Sequence, residues 1–254
     1  MSKVIVRQTT YDYGRLKPAV FEILDALGGA GIAPGRRVLI KPNFLSPAKP
    51  DEAVLTHPLV IRAAAEYALA RGGRVRIGDS QALGSFERIL KAGGAREVLA
   101  GLDVECAEFS ASRTVDVGEP FGRIDLAADA LDADIVINLP KLKTHGMMQL
   151  TLGVKNLFGC VVGLRKPEWH MRAGINHDLF ARLLVQICRA VNPAVTLLDG
   201  ILAMEGEGPG KGGKPRRLGV LMGSTDTVAV DRAAAALVGM DPEALPTNRA
   251  AREL

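Results

Sequence analysis

The sequence predicts an α/β protein built on a mostly parallel sheet with helices on both faces. Short β-rich runs recur along the chain and alternate with stretches of helical spacing. The runs are almost continuously apolar, which is the pattern of strands buried on both faces. Each ends in polar, proline or glycine residues of the kind that close strands and open loops.

Taken in order, Val4, Ile5 and Val6 open the chain in a strand-like stretch. Val38, Leu39 and Ile40 form a run that Lys41, Pro42 and Asn43 stop. Pro58 opens a helical stretch over residues 59–71, with Val60, Ala63, Ala64 and Tyr67 at helical spacing, and Gly72 and Gly73 close it. The next strand, Val75 to Ile77, ends in Gly78, Asp79 and Ser80. Ile135, Val136 and Ile137 run into Asn138, and residues 195–198 run into Asp199 and Gly200. A strand over 218–222 and an alanine-rich helix over 228–237 complete the alternation. Only the segment near residues 104–126 breaks it, and there a small β-hairpin or edge subdomain is expected. With no internal repeat, low-complexity tract or linker, a single domain over 1–254 is the expectation. The last five residues read as a helix without a C-cap, as though the chain continued.

Composition excludes several classes. At 254 residues and 48% hydrophobic, the chain can bury a core that needs no disulfide staples. Cys106, Cys160 and Cys188 are scattered and odd in number, which fits a reducing compartment. No signal peptide or membrane-spanning run is read, so a cytoplasmic protein with no membrane partner is expected. The net charge of +4 favours anionic ligands mildly. The basic residues, Arg165 and Lys166 among them, are dispersed, and aromatics are only 4%, so no nucleic-acid partner is expected.

In open parallel sheets ligands bind beyond the carboxyl ends of the strands. Lys41, Asn43, Asp79, Ser80, Asn138, Lys141, Lys143 and Asp199 stand there. Lysine is neither a favoured cap nor a turn former, and it is a point-charge donor suited to phosphate or carboxylate. Its recurrence predicts that Lys41, Asn43, Lys141, Lys143 and Lys155 converge on one pocket. Lys155 and Asn156 interrupt an apolar stretch, and Lys211 lies in a glycine-rich segment, residues 205–213. That segment lacks the phosphate-loop spacing and reads as a flexible loop covering the crevice, with Lys211 as a ligand contact. Thr56 or His57 is placed to cap the helix that Pro58 opens; capping alone explains Thr56 but not His57. His145 is expected to transfer protons as a neutral base, with His57 second. The four histidines show no metal-binding spacing, so no metal site is predicted; Asp79, Asp199 and Asp231 remain as oxygen donors from distant loops. Cys160 and Cys188 lie in apolar stretches and read as core.

These motifs together resemble one family, the bacterial and archaeal domain of unknown function 362. The matching pieces include VLIKPNF from Val38, THP from Thr56, GDS from Gly78 and NLPKLKTHGMMQLTLGVKNLFG from Asn138. NHDLF from Asn176, LLDGILAMEGEGPGKG from Leu197 and STDTVAVDRAAA from Ser224 complete the set. The resemblance implies the fold above and a link to ferredoxin-like iron–sulfur modules, which accompany members of that family. This chain departs from that pattern: three scattered cysteines cannot ligate such a cluster alone, so none is expected on it. A weaker, architecture-level likeness is to the lactate racemases, another system of strand-end lysines and histidines.

The expected function is therefore binding of a small anionic metabolite, with lysine and histidine chemistry in anaerobic or redox metabolism. The alternative is a non-catalytic accessory protein that docks a ferredoxin-type partner.

Overall fold

The computed structural model describes residues 2–163 and 165–254. The chain begins β1 (Ile5–Gln8), α1 (Tyr13–Ala26), β2 (Arg37–Pro42), α2 (Pro58–Leu69) and β3 (Arg74–Asp79). There follow α3 (Phe86–Ala92), α4 (Ala95–Val98), β4 (Val104–Glu108), β5 (Ser112–Asp116), β6 (Arg123–Ala127) and α5 (Ala128–Asp132). Next come β7 (Ile135–Leu139), β8 (Lys141–His145), β9 (Gln149–Thr151), α6 (Gly153–Asn156) and α7 (Arg165–Ala173). The chain closes with α8 (His177–Val191), β10 (Val195–Gly206), β11 (Gly213–Ser224), α9 (Thr227–Leu237) and α10 (Pro246–Glu253). No helix among the described residues is long and apolar enough to cross a membrane.

Among the described residues nine strands form one sheet, in the order β1-β11-β10-β7-β2-β3-β4, with β8 beside β10 and β9 beside β8. The central pairs, β10–β7, β7–β2, β2–β3 and β3–β4, are all parallel. β1 and β11 add antiparallel pairs on one side. The protein is thus an α/β fold of mostly parallel strands.

Both faces of the sheet are covered, so the two-residue period of a strand appears as a choice of core. In β2, Val38 and Ile40 join a core with Leu24 of α1 and Ile61 of α2, while Leu39 joins a second core with Phe180 and Leu184 of α8. β7 repeats the division, with Ile135 and Ile137 on one side and Val136 on the other. A third cluster gathers Leu142 of β8, Leu198 of β10 and Val230 of α9. Each such side chain contributes roughly 1.5–3 kcal/mol of burial.

The hairpin expected near residues 104–126 is formed by β5 and β6, next to β4, which is the edge strand of the main sheet and pairs with β3 from Val104 to Glu108. Glu105 and Glu108 flanking Cys106 give the half-polar pattern of an edge strand, which reads the same as a hairpin in sequence. The glycine-rich segment is the turn between two twelve-residue strands, because β10 runs on to Gly206 and β11 starts at Gly213. Finally, His57 caps α2: its Nδ1 accepts from the Leu59 amide at 3.2 Å. Thr56 instead accepts from the Asn43 amide at 2.8 Å and donates to the Leu139 carbonyl at 2.6 Å, tying the loop after β2 to the end of β7.

Candidate functional site

A cavity of about 520 Å³ opens beyond the carboxyl ends of β2, β3, β4 and β8. The loop after β2 supplies Asn43 and Phe44, that after β3 supplies Ser80 and Gln81, and β8 supplies Lys143 and His145. Thr151 of β9, Lys155 and Asn156 of α6, Lys166 and His170 of α7, and two acidic residues, Asp79 of β3 and Glu108 of β4, complete the polar lining. A larger concavity of about 810 Å³ lies at the opposite, amino-terminal ends of β2 and β3. Two of its three arginines are already paired: Arg76 reaches Glu105 and Asp129 at 3.1 Å each, and Arg37 reaches Asp134 at 2.9 Å. Its four acidic residues, Asp103, Glu105, Asp129 and Asp132, outnumber the arginines, Arg37, Arg74 and Arg76.

The first cavity differs on this point. Among the described residues Lys143, Lys155 and Lys166 make no ion pair. The Lys143 Nζ donates to the Val54 carbonyl at 2.7 Å, and Lys166 donates to the Ser80 carbonyl. Lys155 sits over the Phe158 ring, 4.8 Å from its centroid, and 5.7 Å from that of Phe180. Burial, with Lys166 and Lys41 nearby, lowers the Lys155 ammonium to about 7. Burial lowers Lys166 to about 8 against the pull of Asp79, and it lowers Lys143 well below the usual lysine range, with Lys155 and Lys141 adding to the effect. These three lysines outnumber the two acidic residues of the lining, Asp79 and Glu108.

His145 is held in one orientation. Its Nδ1 accepts from the amides of Met147 at 3.1 Å and Met148 at 3.2 Å. Burial, reinforced by Lys155 and Lys143, lowers the imidazole to about 3, so the ring is neutral and its proton sits on Nε2. Such a ring offers a hydrogen-bond donor; the base role read from the sequence would require both amide bonds to break. His170, lowered by burial and Lys155, packs against Phe180 with ring centroids 4.8 Å apart.

A chain of side-chain amides fixes the floor. Asn138 donates to the Gly153 carbonyl at 3.1 Å, Asn156 donates to Asn138 Oδ1 at 2.8 Å, and Asn43 donates to Asn156 Oδ1 at 2.9 Å. α6 is anchored from below, where Asp231 accepts from the amides of Gly153 at 2.7 Å and Val154 at 3.0 Å. Gly159 packs against the Lys41–Asp79 pair so closely that any side chain there would collide with both.

Of the other sequence-derived candidates Asp79 lines the cavity and the rest stand elsewhere. Lys41 is buried behind the lining, its Nζ 2.8 Å from Asp79 Oδ1, and Asp79 also accepts from the Phe44 and Ser80 amides at 2.9 Å each. Lys141 pairs with Asp199 at 2.8 Å, outside the cavity's lining. Asp199 further accepts from the Tyr11 hydroxyl and the His57 amide, and the Tyr11 and His57 rings stack 3.5 Å apart. The convergence of five polar residues therefore holds for Asn43, Lys143 and Lys155, whereas Lys41 and Lys141 are consumed by buried ion pairs. Lys211 is exposed and lies 3.7 Å from Glu52; of its turn only Pro209 reaches the cavity. Lys166, His170, Gln81 and Thr151 were not singled out. Gln81 was within reach, one residue past the Gly78-Asp79-Ser80 stop, but Lys166 beside Arg165 looks like any surface lysine.

Asp79, Asp199 and Asp231 are each engaged by protein donors. Among the described residues no group of three or more histidine, cysteine or acidic side chains is placed to hold a metal ion. Cys160 and Cys188 are buried and Cys106 is partly so, all three free.

The family described as domain of unknown function (DUF362) matches residues 38–236, a span that contains the whole cavity lining. The chain belongs to this family. Within the DUF362 span, the longest motif, from Asn138 to Gly159, delivers Asn138, Lys143, His145, Thr151, Lys155 and Asn156 to the site. The chain is 40% identical over 252 residues to thylakoid-associated protein sll1697 of Synechocystis sp., covering 98% of this chain and 78% of that one. Among solved structures it resembles the lactate racemase apoprotein from Thermoanaerobacterium thermosaccharolyticum, with a TM-score of 0.57 at 11% identity. That likeness covers 92% of this chain but only 56% of the racemase, and it shows a shared fold.

Proposed function

We propose that this DUF362 protein binds a small anionic metabolite in the cavity at the strand carboxyl ends. One observation carries the reading: Lys143, Lys155 and Lys166 face a single cavity without a carboxylate partner among the described residues. Unpaired buried ammonium groups cost stability, and a ligand that neutralises them recovers it. The lysines hold the anion. The Nε2–H of His145 donates to a ligand oxygen, which suits it to polarise a carbonyl in an enzyme of lysine and histidine chemistry. The cavity is of metabolite size, which favours a small ligand over the alternative of a docking surface for a ferredoxin-type partner.

Native mass spectrometry of the purified protein, followed by calorimetry with whatever anion it carries, tests the reading. The expected result is a bound anionic metabolite whose affinity falls at least tenfold in Lys143→Met and in Lys155→Met. Unchanged affinity in a folded Lys143→Met, Lys155→Met double variant would overturn it.

A further inference from the structure

Resting on the anion reading, the polar atoms around the lysines narrow the ligand's chemistry. Asn43 Oδ1 and Gln81 Oε1 are buried acceptors without a donor in the protein, and both residues line the cavity. Their orientation is not arbitrary. The amide chain starts at the Gly153 carbonyl, which can only accept, so Asn138 presents its nitrogen there. Each following amide is then fixed in turn, through Asn156 to Asn43, and the Asn43 nitrogen is spent on Asn156. Gln81 is fixed in the same way. Its nitrogen donates to Glu108 Oε1 at 2.7 Å and to the Gly84 carbonyl at 3.3 Å, both oxygen acceptors. Flipping either amide would set oxygen against oxygen. The hydroxyl of Thr151, buried and also without a partner, adds a group that can donate or accept.

We infer that the ligand is a hydroxylated anion, a hydroxy acid or a polyol phosphate, with its charge on Lys143, Lys155 and Lys166 and hydroxyl groups donating to Asn43 Oδ1 and Gln81 Oε1. A bare inorganic anion would satisfy the lysines and leave both amide oxygens without donors, at a cost for each. It would also fill little of a cavity of about 520 Å³. A fatty acid or alkyl phosphate would fill the space and leave the same two oxygens unsatisfied. Sites built to bond a substrate hydroxyl discriminate strongly against analogues that lack it.

Matched pairs of probes test this by calorimetry at pH 6.5. Gluconate is compared with hexanoate, ribose 5-phosphate with pentyl phosphate, and sulfate, which carries no hydroxyl at this pH, serves as the bare anion. The expected result is that at least one hydroxylated probe binds about tenfold or more tightly than its deoxy partner and than sulfate. Preference confined to one pair identifies the anionic group as carboxylate or phosphate. Gln81→Met, at a half-exposed position, is expected to cut the ratio to about threefold or less. Equal affinity within both pairs, or a preference untouched by Gln81→Met, overturns the hydroxyl inference and leaves the anion reading standing. If no probe binds the wild-type protein, both fall together.

Discussion

The Lys141 ammonium lies 2.8 Å from the Asp199 carboxylate, and neither side chain is exposed to solvent. Asp199 also collects the Tyr11 hydroxyl, the His57 amide and the Ile201 amide, so its oxygens are fully subscribed. The pair locks β8 to β10 at the point where Asp199 and Lys141 stand in register. Removing one partner leaves an uncompensated charge in the interior. Asp199→Asn or Lys141→Met is therefore expected to destabilise the protein by about 3–5 kcal/mol. Urea unfolding measures this directly. A loss of under 1 kcal/mol in either variant would mean that the pair is not the structural lock described.

Lys155 predicts the opposite. Among the described residues its ammonium has no ion pair and sits over the rings of Phe158 and Phe180. Lys155→Met keeps the length and apolar stem while removing the charge. The ligand-free variant is expected to be at least as stable as wild type, by up to about 1–2 kcal/mol, while anion affinity falls at least tenfold. Paired unfolding and binding measurements check it. A variant that loses stability and keeps its affinity would place Lys155 in the structure rather than in the site.

The contrast between these two lysines shows what the sequence can and cannot reveal. Lys141 follows a strand-like run, Lys155 interrupts an apolar stretch, and both read as ligand candidates. The strands were legible because Val38 to Ile40 and Ile135 to Ile137 are apolar without interruption, which only burial on both faces explains. The site was half legible, because Asn43, Lys143 and Lys155 sit where parallel sheets bind ligands. Whether a lysine is free or paired depends on a carboxylate far away in sequence. Lys141 and Asp199 are 58 residues apart, and no local pattern joins them. The same holds for the His57 amide and Asp199, 142 residues apart. His57 looked chemical because histidine is a rare cap, yet its Nδ1 does what a serine or aspartate does at other helix starts.

The depressed lysines make binding pH-dependent with a definite sign. Free Lys155 titrates near 7 and Lys166 near 8, so each is protonated below its value and neutral above it. An anion binds the protonated forms and draws protons from solution when it enters at higher pH. For an anion ionised throughout, such as gluconate, affinity is expected to fall steadily between pH 7 and 9, and to rise further on acidification as Lys143, held well below the usual lysine range, takes up its proton. Calorimetry at pH 8 in two buffers of different ionisation enthalpy should show net proton uptake, abolished in part by Lys155→Met. Proton release, or affinity that rises with pH, would contradict the charge state described.

The sharpest expectation concerns the proton on His145. With Nδ1 accepting from two backbone amides and the ring buried beside Lys155 and Lys143, the neutral Nε2–H form should persist across the physiological range. Protonating it would require Nδ1 to become a donor against two donors already pointing at it, in a site that disfavours added positive charge. In ¹⁵N-labelled protein the His145 resonances are expected to report the Nε2–H tautomer at pH 7 with no titration above about pH 5. A pH–rate profile, once a reaction is in hand, should then carry no limb from this histidine. His145→Gln, which keeps a donor nitrogen near the same place, should retain more ligand affinity than His145→Ala by about three- to tenfold. A ring that titrates between pH 6 and 7, or one found as the Nδ1–H tautomer, would return His145 to the role of base and remove its assignment as a fixed donor to the ligand.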